Sequence, residues 1–350
     1  METIHRIRDK FIPEPLPAPG TFQGRTVVVT GGTSGLGLAA AVHFVSLGAH
    51  VIITCRDPSR GESARLEIEK RTRADAVEMM VLDMTRYSSC CSFVDELSKR
   101  RPQGVDAVVL NAGVSKTHHD VSPEGWEETI QVNALCTTLL GLLLLPWLKK
   151  QTASSTPHMV FVASRDHLDP DITSWAPWGD DGAGILRRLS DRAHVSWPSG
   201  AESSTDSPNY AASKLLLMYA VEEITKLALD SEGQPKVIVN SVCPGLVHTN
   251  IARDISSHSW QMKLAVNLFF ATLGKSADYG SRFYVAATQT TADEHGKFIV
   301  SLYSDDEYRK KAIPNMTSDA GKATRVLVWK EIIAELVANV PGLQATLNEI

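Results

Sequence analysis

Short runs of β-branched and aliphatic residues recur through the first three hundred positions, at 27–30, 51–55, 77–82, 105–110, 159–162, 237–242 and 298–300. Their brevity and near-continuous apolarity predict strands buried on both faces. Between them, residues 37–47, 62–71, 87–99, 126–148 and 210–229 carry apolar side chains at helical spacing. Strand alternating with helix predicts an α/β fold: a doubly wound parallel sheet of about seven strands, with helices on both faces, in a single domain.

Two stretches break the rhythm. Residues 168–208 are rich in Asp, Ser, Gly and Pro, carry Trp175, Trp178 and Trp197, and show no sustained period, so they read as a long surface insertion. Residues 246–275 carry Trp260 and an apolar patch at 268–270, and are expected to cover a pocket. Residues 1–24 read as an extended Pro-rich arm, 25–300 as the main domain, and 301–350 as a helical extension with an amphipathic helix around 326–337.

With 350 residues, 43% of them hydrophobic and 21% charged, the chain has ordinary globular composition and ample core. Lys and Arg total 35 against 40 Asp and Glu, a formal charge of −5. Without a basic excess, nucleic acid is not an expected partner. The five cysteines are odd in number and show no zinc-type spacing with each other or with His, which points to reduced thiols, a cytoplasmic setting and no metal. The N-terminal residues mix charges and prolines, so no export signal is visible. The most apolar stretch, 135–148, contains Pro146 and falls short of the roughly 20 residues a membrane span needs, so it is expected to be a buried helix.

Chemistry enters directly after the first strand, with Thr30-Gly31-Gly32-Thr33-Ser34-Gly35-Leu36-Gly37 opening a helix. Glycines let the backbone approach a pyrophosphate, and the helix start offers free N–H groups and the positive end of a dipole. Strand, glycine loop and helix in that order point to a bound dinucleotide.

The TGxxxGxG spacing resembles that of the short-chain dehydrogenase/reductase family, and that family's other landmarks follow in order. Asn111-Ala112-Gly113 comes after the fourth strand, Asn133 in the next helix and Ser164 after the fifth strand. Tyr210-Ala-Ala-Ser-Lys214 matches YxxxK, and Pro244-Gly245 follows the sixth strand. The resemblance covers roughly residues 24–300 and implies sheet order 3-2-1-4-5-6-7.

Gly31, Thr33, Ser34, Gly35, Leu36 and Gly37 would then cradle the pyrophosphate. The position where an NAD-selecting acid would fall is Cys55, while the adjacent Arg56, helped by Arg60, is placed for the 2′-phosphate of NADP. The cofactor expected is NADP(H), unless Arg56 merely caps the strand or pairs with Asp57. By resemblance, Asp83 receives the adenine amino group, Asn111 and Ala112 lie along the adenosine ribose, and Val247 and Thr249 meet the nicotinamide carboxamide and phosphate. An Asp at position 83 is also an ordinary cap for the next helix.

Four residues apart on a helix, Tyr210 and Lys214 share a face. A carbonyl accepting hydride must gain a proton, a free tyrosine with a pKa near 10 gives one up slowly, and a nearby ammonium favours the phenolate. By resemblance, Lys214 also holds the ribose hydroxyls, Ser164 binds the substrate oxygen, and Asn133 completes the tetrad by holding a water beside Lys214. Ser164 and Tyr210 lie 46 residues apart, where the family usually has about a dozen. The excess is either a lid using Trp175, Trp178 or Trp197, or a decoration with buried Trp anchors.

The implied activity is hydride transfer between NADP(H) and a small-molecule ketone, aldehyde or alcohol. A bulky apolar carbonyl is the expected substrate, and secondary metabolism the expected setting. Two alternatives remain open at this level: an epimerase or dehydratase that recycles its cofactor, and a silent NADP-binding sensor. The apolar helix at 135–148 resembles the family's dimer helix, but it fits equally a helix packed inside a monomer covered by the terminal extensions.

Overall fold

The computed structural model describes residues 13–151, 155–180, 182–195, 197, 207–247 and 274–349. Seven parallel strands form one sheet: β1 (Thr26–Val29), β2 (His50–Cys55), β3 (Val77–Val81), β4 (Ala107–Leu110), β5 (His158–Val162), β6 (Ile238–Cys243) and β7 (Phe298–Val300). Their order is β3-β2-β1-β4-β5-β6-β7, as expected for a doubly wound Rossmann fold.

Register explains the double-sided core. Val28 lies beside Ile52 and Val108, Val108 beside Met159, and Met159 beside Val239, so these five form one row across the sheet. All point into the larger apolar cluster. One residue on, Val29, Ile53, Val109 and Val160 form the next row and point into the cluster on the other face. Because strand side chains alternate, sequences with no polar face can exist only where helices cover both sides.

Helices α1 (Gly35–Ser46) and α2 (Pro58–Thr72) help cover one face. On the other lie α3 (Tyr87–Arg100), α4 (Glu128–Lys149) and α5 (Tyr210–Leu227). Asp57 caps α2 by accepting from Ser59 N at 2.9 Å, with Pro58 at the first helical position. Helix α6 (Ala277–Ala287) packs against α1 and completes the first layer, a role the sequence pattern did not reveal.

Helix α4 is long and apolar enough to cross a membrane by composition, yet 89% of its apolar window is buried inside the protein. It carries a π-helical turn at Gln131–Cys136. Beyond β7 come α7 (Asp305–Ala312), α8 (Asp319–Asn339) and α9 (Leu343–Asn348). Helix α8 packs against α5, and α9 against α4. The described part of the Asp- and Ser-rich stretch is not merely peripheral. Ile172 and Trp175 are buried, as are Ile185, Leu186 and Leu189 in a short helix spanning Ile185–Ser190. The Glu331 carboxylate on α8 caps that helix, accepting from Ile185 N at 3.0 Å and Leu186 N at 2.9 Å. Most of residues 246–275 lies outside the described residues, and so does Thr249.

Candidate active site

A cleft of about 400 Å³ opens where the chain ends of β1, β2, β4, β5 and β6 meet. Gly31, Thr33, Ser34, Gly35, Leu36 and Gly37 line it, joined by Arg56, Arg60 and Asp83, by Asn111 and Ala112, by Ser164, Tyr210 and Lys214, and by Val247. Residues scattered over more than two hundred positions thus converge on one concavity, at the carboxyl edge where doubly wound sheets bind ligands.

The glycine loop is built by backbone demands. Gly31 and Gly35 adopt positive φ, 66° and 55°. At Gly37 a Cβ would meet Gly31 O at 2.4 Å and Asn111 Nδ2 at 2.6 Å, so only glycine lets α1 start so close to the loop. Asn111 fastens this corner: its amide donates to Thr30 O at 2.7 Å, and Tyr284 Oη on α6 donates to its Oδ1 at 3.0 Å. Tyr284 also lines the cleft. Its signal in the sequence is only an aromatic on a helix whose period was not recognised.

The loop fits a dinucleotide. Ser34 sits at the N-cap of α1 without a side-chain cap bond, and the first turn has no acidic residue, so its N–H groups are left for an anion. At the end of β2, the Cys55 thiol turns inward toward Met80 O at 3.8 Å. The Asp57 carboxylate is committed to Ser59 N and Oγ. Among the described residues no ion pair joins Arg56 to Asp57, so the pairing considered above does not form. Asp83 does not cap α3, whose N-cap is Arg86. Its Oδ1 instead accepts from Thr85 N at 3.0 Å and Thr85 Oγ1 at 2.7 Å, with the carboxylate at the cleft wall.

At the inner end, Tyr210 opens α5 and Lys214 stands one turn on. Lys214 Nζ lies 5.6 Å from the centroid of the Tyr210 ring and donates to Val162 O at 2.9 Å. Burial pulls its ammonium down to about 8, opposed by the negative charge of Asp166. The Tyr210 phenol is pushed above its ordinary value, chiefly by desolvation and then by Asp166, while a hydrogen bond with the Ser164 hydroxyl pulls it back. Ser164 is the N-cap of a 3₁₀ turn, Arg165–Leu168, and its Oγ accepts from Asp166 N at 3.2 Å.

Asn133 lies on α4, on the far side of the loop that follows β4. Its side chain does not hold a position in the cleft wall but sits behind Gly113 and Val114, with Oδ1 accepting from Val114 N at 2.9 Å. Its Nδ2 donates to Val114 O at 2.8 Å and to Ser213 Oγ at 3.0 Å. Both amide hydrogens are therefore committed to joining the β4 loop to α5. The π turn in α4 explains how a helical residue reaches this far. Gly113 is the thin wall between: a Cβ there would lie 3.2 Å from Asn133 Oδ1 and 3.7 Å from Lys214 Nζ.

A model of short chain dehydrogenases matches residues 25–173. A short-chain dehydrogenase/reductase of Aspergillus flavipes, ffsI, is 34% identical over 336 residues, covering 94% of this chain and 91% of that protein. The chain belongs to the short-chain dehydrogenase/reductase family. A second fungal member, phmF of Phaeosphaeria nodorum, is 33% identical over 342 residues, with 95% and 93% covered. L-sorbose reductase of Gluconobacter frateurii, solved with NADPH and L-sorbose, superposes with a TM-score of 0.58 at 18% identity, covering 81% of this chain and 97% of that one. This last likeness speaks for the fold.

Membership makes the protein an oxidoreductase acting on CH–OH or C=O groups of small molecules with a nicotinamide cofactor.

Proposed function

We propose that this protein is an NADPH-dependent reductase of a bulky, largely apolar ketone or aldehyde, serving secondary metabolism. The observation that carries the reading is the meeting of Ser164, Tyr210 and Lys214 at one end of a cleft whose other end presents an uncapped helix start and two guanidinium groups, Arg56 and Arg60. Val114, Val132 and Val162 supply apolar wall near the reacting end, consistent with an apolar substrate. The fungal relatives support the metabolic setting.

When bound, the nicotinamide supplies the hydride. The chain's part is to hold the carbonyl oxygen between the Ser164 hydroxyl and the Tyr210 phenol, which stabilise negative charge as it develops. Tyr210 gives its proton to that oxygen as hydride arrives at carbon. Free of ligand, the phenol holds its proton tightly; the Lys214 ammonium, 5.6 Å from the ring centroid, is placed to favour the phenolate as the proton leaves. With its ammonium at about 8, Lys214 is mostly charged at neutral pH. Asn133 serves as a positioning residue, keeping the Val114 loop against α5. Arg56 and Arg60 would pair with a 2′-phosphate, and the inward-turned Cys55 offers the 2′-hydroxyl of NAD no carboxylate.

The test is carbonyl-dependent oxidation of NADPH and NADH by wild-type, Tyr210→Phe and Arg56→Ala protein across a panel of apolar ketones and aldehydes. Expected are a preference for NADPH, loss of about a hundredfold or more in kcat for Tyr210→Phe, and a weakened NADPH preference for Arg56→Ala. Undiminished turnover by Tyr210→Phe, or a preference for NADH, would overturn the reading. Product formed without net NADPH consumption would replace it with a cofactor-recycling isomerisation or dehydration.

A further inference from the structure

The segment that follows Ser164 is held from the far end of the chain. His167 is fully buried, and its Nδ1 lies 2.6 Å from Ser164 O. A carbonyl oxygen can only accept, so Nδ1 carries the proton. In the neutral ring Nε2 is then an acceptor, and the group facing it at 3.2 Å is the Tyr308 hydroxyl on α7, which donates. The Tyr308 ring also packs against His167 and Phe298, with centroids 5.8 and 4.6 Å away. A few residues on, in the turn Ile313–Thr317, the buried Asn315 points its amide at three carbonyls of the same segment: His167 O at 3.3 Å, Leu168 O at 3.1 Å and Pro170 O at 2.9 Å. Its own main-chain oxygen accepts from Tyr219 Oη at 2.8 Å, and Tyr219 lies on α5, the helix that carries Tyr210 and Lys214.

We infer that Asn315 and Tyr308 are positioning residues for the reaction, a clamp from the C-terminal extension that sets the spacing between Ser164 and Tyr210. One arm of Asn315 grips the strand of chain leaving Ser164, and the other grips the helix of Tyr210. Tyr308, through His167, fixes the Ser164 carbonyl and thereby the direction in which its hydroxyl points. Both residues lie far beyond the matched segment 25–173. The clamp answers a problem of this chain: 45 residues intervene between Ser164 and Tyr210, so covalent continuity does little to fix their spacing, and non-local hydrogen bonds must.

The inference rests on Ser164 and Tyr210 being the reacting pair, and two readouts separate its failure from failure of that reading. The first is amide hydrogen exchange on the ligand-free full chain for wild-type, Asn315→Ala and Tyr308→Phe protein. Exchange should quicken in the segment 164–170 and the start of α5 while β1 to β4 stay protected. The second is steady-state reduction with NADPH binding measured in parallel, where kcat should fall about tenfold with NADPH affinity held within about twofold. Tyr308→Phe keeps the ring packing and removes one hydroxyl, so it remains informative if Asn315→Ala folds poorly. His167→Asn, which can keep an N–H near the place of Nδ1, should recover much of the kcat that His167→Leu loses. Unchanged exchange in 164–170, exchange that rises equally across the sheet, or an unchanged kcat in Tyr308→Phe would overturn the clamp. A wild-type protein inert across the carbonyl panel would overturn the reductase reading, and the exchange profile would still decide whether the clamp exists.

Discussion

Burial holds the His167 imidazole down to about 4, because the charged ring has lost water and gained only neutral partners. In the unfolded chain the same ring titrates near 6.5. Between those values the unfolded state binds more protons, so stability present above about pH 6.5 is lost as the pH falls toward 4. His158 and His295 are also lowered by burial and add in the same direction. Urea unfolding of wild-type and His167→Asn protein from pH 7 to pH 4 checks this: the wild type should lose stability more steeply, by up to about 1.4 kcal/mol per pH unit for the one group. Parallel curves would show that His167 titrates in the folded protein as it does in the unfolded chain.

Which residues were legible one at a time follows from what each one needs. Gly37 is demanded by close backbone approach, and Tyr210 with Lys214 by a shared helix face, so a local pattern displays them. Asn133 was recognisable as a position, but its hydrogen bonds to Val114 and Ser213 depend on a π turn and on two other elements. Tyr284 and Asn315 had no local mark at all, since the hydrogen-bond partners named for them lie more than 90 residues away.

Among elements, the strands were the most legible, because a strand covered on both faces must be apolar throughout. Observed bounds differ from the expected ones by no more than two residues at either end. Short helices were not legible. Ala176–Asp180 and Ile185–Ser190 span five and six residues, too few to show a period, and α8 caps the second of them. The composition of residues 168–208 suggested surface, yet Trp175 is only 5% exposed and belongs to the core beneath α8. Trp175→Ala should therefore destabilise the protein by about 3–5 kcal/mol, read as a lowered urea midpoint, while NADPH affinity at the distant glycine loop stays near wild type. A change within about 0.5 kcal/mol would mean that Trp175 packs loosely on a surface segment.

For the molecule as a whole, the C-terminal extension changes what the apolar helix α4 is for. Helix α9 lies against it and α8 against α5, so the face these two helices share is already covered within one chain. A covered face has little apolar area left to offer a second copy. The full chain is accordingly expected to sediment as a monomer near 38.2 kDa, and a stable species of twice that mass would show that a different face pairs.

Hydrophobic period, glycine placement and the spacing of Tyr210 and Lys214 are local properties, so the sequence by itself determined the parallel sheet, the phosphate loop and the family, and the family resemblance implied the strand order. Tertiary structure alone decided the inward turn of Cys55 beside Arg56, the place of Asn133 behind the cleft wall, the burial of Trp175 and the grip of Asn315 on both reacting segments. Each of these is a contact between distant parts of the chain, made by side chains whose local context would have suited a dozen other surroundings, and only the packed fold chooses among them.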